Sequence, residues 1–281
     1  MSGALSAMGP RRARPARRAG PSQAGRRAAT SIAVFLLLGE LIARAPALFG
    51  VEVPVLGVLP APSGVVAEAL RELSDPAYWQ SWYLSFLRVA GGFLAALALG
   101  VPLGLLLATR RSFRNVVFPV FEVLRPIPPI AWVPAAIIFW PTQELSIVFV
   151  IFLGAFYTIT FSTYHGARQV DPALVQSARS MGSGQWRVLW RVVLPAAMPG
   201  IVTGAAIGMG ITWEVVVAAE LISGGSGGSG GGLGHFMWDA YLANNHERIV
   251  VAMISIGLAG YLSSTLLRRA GRLLAPWQPL K

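Results

Sequence analysis

Apolar residues in this chain do not alternate with polar ones in the short rhythm of a soluble core. They come in long blocks, at about 31–49, 82–108, 127–140, 145–164, 197–222 and 249–267. A helix needs roughly 20 apolar residues to cross the hydrocarbon core of a bilayer, and all blocks but the third come near that length. The third, IPPIAWVPAAIIFW, is shorter and holds Pro128, Pro129 and Pro134. Proline removes backbone donors, so this block predicts a broken or partly re-entrant helix shielded by protein. The pattern as a whole predicts an all-α polytopic membrane protein with about six transmembrane helices.

Composition strengthens that reading. Of 281 residues, 54% are hydrophobic and 12% charged, and the mean hydropathy is +0.60. Soluble domains carry about a quarter charged residues, so lipid must be the solvent for much of this surface. The net charge of +11 would suit nucleic acid, but the cations sit between apolar blocks. Of 23 Lys and Arg, 19 fall in the N-terminal arm, the segments after blocks two and four, and the C-terminal tail. Six crossings put these four stretches on one side, which the positive-inside rule makes the cytoplasm. Both termini are then cytoplasmic. The first 30 residues, rich in Arg, Ala, Pro and Gly, are expected to form a disordered basic arm beside the membrane, followed by a transmembrane domain over 31–281. The first block reads as a retained signal-anchor helix.

Candidate chemistry is sparse. The chain has no cysteine, and its histidines are His165, His235 and His246. They form no metal-binding spacing, so no metal site is expected. Gly20 to Arg27 has the glycine spacing of a phosphate loop but lacks its Lys and hydroxyl residue. ATP and magnesium, if used, belong to another chain. No nucleophile and acid pair suggests an enzyme. Block five holds Glu214 and Glu220; acids in spans usually face a bundle interior or a water-filled cavity. Glu214, near mid-span, is the better candidate for a path, and a structural ion pair with Arg88 or Arg44 is the alternative. Glu40 and Arg44 have the i,i+4 spacing of a helical ion pair. The Gly/Ser run at 224–234 reads either as a flexible linker or as an outer gate loop, closed by Phe236, Trp238 and Tyr241.

The most informative stretch is the cytoplasmic segment 166–195, GARQVDPALVQSARSMGSGQWRVLWRVVLP. Asp171-Pro172 is a helix start, with Asp at the cap and Pro in the first turn. A short helix over 173–181 follows, then the break Gly182-Ser183-Gly184, then a second helix over 186–193 closed by Leu194-Pro195. Ala178 and Gly182, four apart, are expected to share a small-residue face that another protein could approach closely.

This segment resembles the coupling loop of binding-protein-dependent ABC permeases. The family pattern is Glu-Ala-Ala, three residues, Gly, nine residues, then Ile-x-Leu-Pro. Here Gln176-Ser177-Ala178, Gly182 and Val192-Val193-Leu194-Pro195 keep that spacing. Gln176 replaces the Glu, Ser177 the first Ala and Val192 the Ile. Leu59-Pro60-Ala61-Pro62, Ser85-Phe86-Leu87-Arg88, Arg125-Pro126-Ile127-Pro128-Pro129, Ala218-Ala219-Glu220-Leu221 and Trp238-Asp239-Ala240-Tyr241 also resemble the family, in its nitrate, taurine and alkanesulfonate branch. Importers of riboflavin or thiamine precursors are neighbouring alternatives.

The resemblance implies a type I ABC importer permease fold with its core at about 80–270. It implies a homodimer in a bacterial inner membrane, two ATPase subunits and an extracytoplasmic solute-binding protein. It places Gln176, Ser177, Ala178, Met181, Gly182, Leu194 and Pro195 at the coupling surface. Pro128, Pro129, Trp132, Trp213, Glu214 and Glu220 are expected along the path, in keeping with the rule that Pro-interrupted membrane helices mark transport sites. The rival from a different class is an ion-coupled transporter or channel that uses Glu214.

Overall fold

The computed structural model describes residues 21–49, 59–223 and 231–274. These form helices and no strand. Two compact units divide between Ser63 and Gly64.

In the first unit, α1 (Pro21–Phe49) begins ahead of the apolar block at Ser31, so the last part of the expected arm is helical. Its Ile32, Phe35 and Leu37 are exposed, as suits a helix facing lipid. Arg44 pairs with Glu40 at 2.6 Å, and Glu40 also accepts hydrogen bonds from the Ser63 amide and hydroxyl.

The short amphipathic α2 (Pro62–Glu72) begins two residues before the division and lies mostly in the second unit. Asp75 then caps α3 (Pro76–Thr109) by accepting from the Ala77 amide at 2.9 Å. The cap and the proline after it start a helix of 34 residues, about 50 Å long and more than a bilayer needs. Next comes α4 (Arg111–Leu124), then a tight turn at Pro129–Trp132 leading into α5 (Val133–Phe139). The stretch read from sequence as a basic loop after the second span is therefore a helix. Its apolar residues gather on one side, and a 90° bend at the prolines joins it to α5. The third span is broken as expected, but the break starts earlier and involves more chain. Among the described residues five helices are long and apolar enough to cross a membrane, or six with this bent pair.

The remaining helices are α6 (Gln143–Arg168), α7 (Pro172–Ser180), α8 (Gln185–Val188), α9 (Leu194–Ser223), α10 (Leu233–Leu242) and α11 (His246–Leu274). The core lies where α3, α6 and α9 pack together. Val89, Phe93, Ile147, Ile151, Ile159, Trp213 and Val216 are buried there. Small residues set the spacing. A Cβ on Gly104 would come 2.6 Å from the Thr160 carbonyl, and one on Gly204 would strike Ser162. Such contacts let membrane helices approach backbone to backbone, where hydrophobic drive between helices is weak. A second cluster, near the ends of α3 and α6, joins Leu105, Ala167, Val188, Val193, Ala197 and Ile201. A third packs Val65, Tyr78, Phe236 and Val251, with the Tyr78 and Ser255 hydroxyls 2.7 Å apart.

Candidate functional site

The segment between α6 and α9 folds as its residues dictate. The Asp171 carboxylate accepts from the Ala173 amide at 2.8 Å, and Pro172 occupies the first turn of α7. Gly182 ends the helix with φ of +79°, a conformation that favours glycine. The Ser183 amide then reaches back to the Ala178 carbonyl at 3.0 Å and the Gly182 amide to that of Arg179 at 2.9 Å. This is the paired bonding of a helix closed by a left-handed residue.

Ala178 and Gly182 do not form a common face. Ala178 is buried and packs into the second cluster, while Gly182 lies beyond the helix with open space where a side chain would stand. The i,i+4 rule holds only while the helix continues, and the left-handed turn ends it. Most of α7 is exposed, and Leu174, Ser177 and, just past its end, Met181 line one side at i, i+3 and i+7. Gln176 is exposed as well. After α8 the chain makes a π turn at Leu189–Val193 before Leu194 and Pro195 enter α9. Pro195 has no amide hydrogen to donate, and a wider turn just before it accommodates that loss. Leu194 packs against the second cluster.

The expected path residues are dispersed. Pro128 and Pro129 form the bend before α5, with Trp132 half-buried beside them. Trp213 is buried and turned toward α11, where its indole donates to the Ser263 hydroxyl at 2.9 Å. Glu214, the next residue, points the other way and is exposed. It continues a stripe of Thr203, Ile207 and Gly210 along α9. Glu220 is 0% exposed and meets no water.

Glu220 instead anchors a buried ion-pair cluster. Arg88 on α3 donates to Glu220 at 2.9 Å and to Glu144, at the start of α6, at 2.8 and 2.5 Å. Ser85, one turn before Arg88, donates to Glu220 at 2.8 Å. The Gly234 amide donates to Glu220 and the Leu233 amide to Ser85 Oγ, both at 2.8 Å. Two first-turn amides of α10, whose capping Gly232 has no side chain, are thereby satisfied by other helices. A Cβ on Gly232 would run into the Glu220 carboxylate and the Ser85 hydroxyl. The charges are thus paired and bonded, as burial requires. Sequence reasoning placed an ion pair at Glu214 and missed this one. Ser85 and Arg88, three apart on one helix face, were its available signal. Residues 224–230 of the expected gate loop lie outside the described residues. Of the aromatics expected to close it, Phe236 is buried, whereas Trp238 and Tyr241 stack at 5.3 Å and stay exposed.

Similarity to known proteins supplies the class of this membrane bundle. Residues 100–278 match the family described as binding-protein-dependent transport system inner membrane component. The chain belongs to this family: it is the permease subunit of an ABC importer, a multi-pass membrane protein whose ATPase is a separate chain. A probable ABC transporter permease of Brucella abortus is 37% identical over 79% of this chain and 86% of its own length. The nitrate import permease NrtB of Synechocystis is 34% identical over 64% of each chain. The bicarbonate permease CmpB of Synechococcus elongatus is 37% identical, over 68% of this chain and 66% of that one. Among solved structures, the inward-facing MetNI methionine ABC transporter shares the fold, with a TM-score of 0.55 at 21% identity. That match covers 70% of this chain and 93% of the MetNI chain.

Proposed function

We propose that two copies of this chain form the path of an importer for a small oxyanion, with nitrate and bicarbonate as the first candidates. The cytoplasmic side takes two ATPase subunits, which hold the ATP and magnesium, and the outer side takes a solute-binding protein. The observation that carries the coupling role is α7: a firmly capped helix between α6 and α9 that turns Leu174, Ser177 and Met181 outward. Exposed apolar groups beside a polar loop mark a protein contact, and Ala178 ties the helix rigidly to the ends of the spans.

The stripe Thr203, Ile207, Gly210 and Glu214 supports the second copy and the path. An acid at mid-span is costly against lipid, so this face meets protein or water. Nitrate and bicarbonate permeases among the relatives support the substrate class. Both ions are small, planar and singly charged. Taurine and the alkanesulfonates, also suggested by the motifs, fall behind them.

The test is uptake of labelled nitrate and bicarbonate by cells with and without this chain. Loss of ATP-dependent uptake of one anion is the expected result. Unchanged uptake of both removes the substrate assignment, and uptake that persists without the ATPase favours the ion-coupled rival. Coupling is tested at Gly182. Asn tolerates the left-handed conformation, whereas a β-branched residue is strained by about 1–2 kcal/mol. Gly182→Asn should keep co-purification with the ATPase and Gly182→Val should weaken it.

A further inference from the structure

A cavity of about 1100 Å³ opens between the end of α3, the start of α4, the end of α6 and one face of α7. Arg110, Arg111, Arg168 and Arg179 all line it, and no Asp or Glu does. Among the described residues none of these four guanidinium groups has an ion-pair partner. Asp171, the acid closest in sequence to Arg168, caps α7 instead. With no such partner, four exposed guanidinium groups make the cavity strongly positive and attractive to a polyvalent anion.

The level of the cavity narrows what that anion is. Two spans stop at it, α3 at Thr109 and α6 at Arg168. Because α3 is longer than the hydrocarbon core, the cavity sits at or just beyond the headgroups, on the side with most of the basic residues. Trp186 lines the same cavity and is 70% exposed, as suits an aromatic at a membrane interface. We propose that this cavity binds the phosphate headgroup of an anionic phospholipid. Basic pockets between helices on the cytoplasmic side are suited to such headgroups.

The position of α7 gives the site a consequence. Its cavity face carries Pro172, Val175, Arg179 and also Gln176, for which the family resemblance implied a place at the coupling surface. Those residues share one side of the helix, and Leu174, Ser177 and Met181 occupy the opposite side. A headgroup bound behind α7 leaves its outward face free and braces the helix against the span ends. Lipid occupancy and partner docking then act on the same rigid element from opposite sides.

The experiment uses the full chain purified in mild detergent. Retained lipids are measured by native mass spectrometry, and binding is measured to vesicles of phosphatidylglycerol in phosphatidylcholine or of phosphatidylcholine alone. Arg168→Gln with Arg179→Gln should weaken phosphatidylglycerol binding about tenfold. Arg187→Gln with Arg191→Gln removes equal charge from the same segment, outside the cavity, and should change it little. Arg168→Lys with Arg179→Lys keeps the charge and should retain most binding; it also shows that an altered cavity still folds. Equal loss in both Gln pairs would mean diffuse surface charge and overturn the site. No loss in either, including a case where only ATPase co-purification suffers, overturns it too. Inorganic phosphate distinguishes the source: displacement of lipid by millimolar phosphate would assign the cavity to a soluble anion instead.

Discussion

Arg88 shows what a single charged residue does inside a membrane bundle. It sits on α3 with carboxylates from α6 and α9 in hydrogen-bond reach, and Glu220 is fully buried. Breaking a buried pair typically costs about 3–5 kcal/mol, and the loss of Glu220 sits toward the low end because Glu144 still holds Arg88. Glu220→Leu should therefore lower the thermal midpoint of the purified chain sharply. The double change Arg88→Met with Glu220→Leu removes both charges and should recover part of that loss. A double variant no better than the sum of its singles would show that the pair is not energetically coupled. The same cluster supplies acceptors to the first turn of α10, so the single variant should also raise amide exchange at Leu233 and Gly234.

Among the elements, α2 carries its own titration. Glu72, at its C-terminal end, is buried, and that burial pushes its carboxyl above the usual carboxylate range against the pull of Arg248. Glu68 and Asp75 nearby push it the same way. The fold thus favours the protonated form. A raised folded pKa gives stability that is fully present below the ordinary Glu value and is lost as pH rises through the folded one. Between about pH 4 and neutrality the wild-type chain should lose stability from this group, and Glu72→Gln should flatten that part of the curve. Thermal unfolding across pH 4–8 measures it. A wild-type curve that rises through this range while the variant stays flat would reverse the sign and point to the Arg248 pair as dominant. At the same scale, α7 and α4 show how far local signals carry. The start of α7 was legible because Asp171 and Pro172 act within two residues. The face it buries was not, since Ala178 packs against Leu105 and Ala197 from distant parts of the chain. The helical nature of 111–124 was obscured by Arg110, Arg111 and Arg114, which read as a loop between apolar blocks.

For the whole molecule the main expectation is topological. Four basic stretches on one side and an acidic outer segment at 50–78 imply cytoplasmic termini. The chain has no cysteine, so single cysteines at Ser63, Ser112, Ser183 and Ser229 can each be probed alone. An impermeant thiol reagent applied to intact cells should label the variants at 63 and 229 and spare those at 112 and 183. Labelling at 183 would place the α7 segment outside and end the coupling proposal with it.

The sequence by itself determined the solvent, the helical class, the approximate spans, the broken third segment and the spacing of the 166–195 motif. Each is a local or cumulative property. A run of apolar residues partitions into lipid whatever it later packs against, and a cap or proline acts within a turn. Only the tertiary structure decided the partner of Arg88, the inward turn of Ala178, the bend that joins α4 to α5, and the gathering of four arginines around one cavity. These depend on which helices become neighbours. Glu214 and Glu220 lie on the same helix with similar surroundings in sequence, yet one faces outward and the other meets Arg88. The difference is their angle about α9, and only the packing of α3 and α6 against that helix gives the angle a meaning.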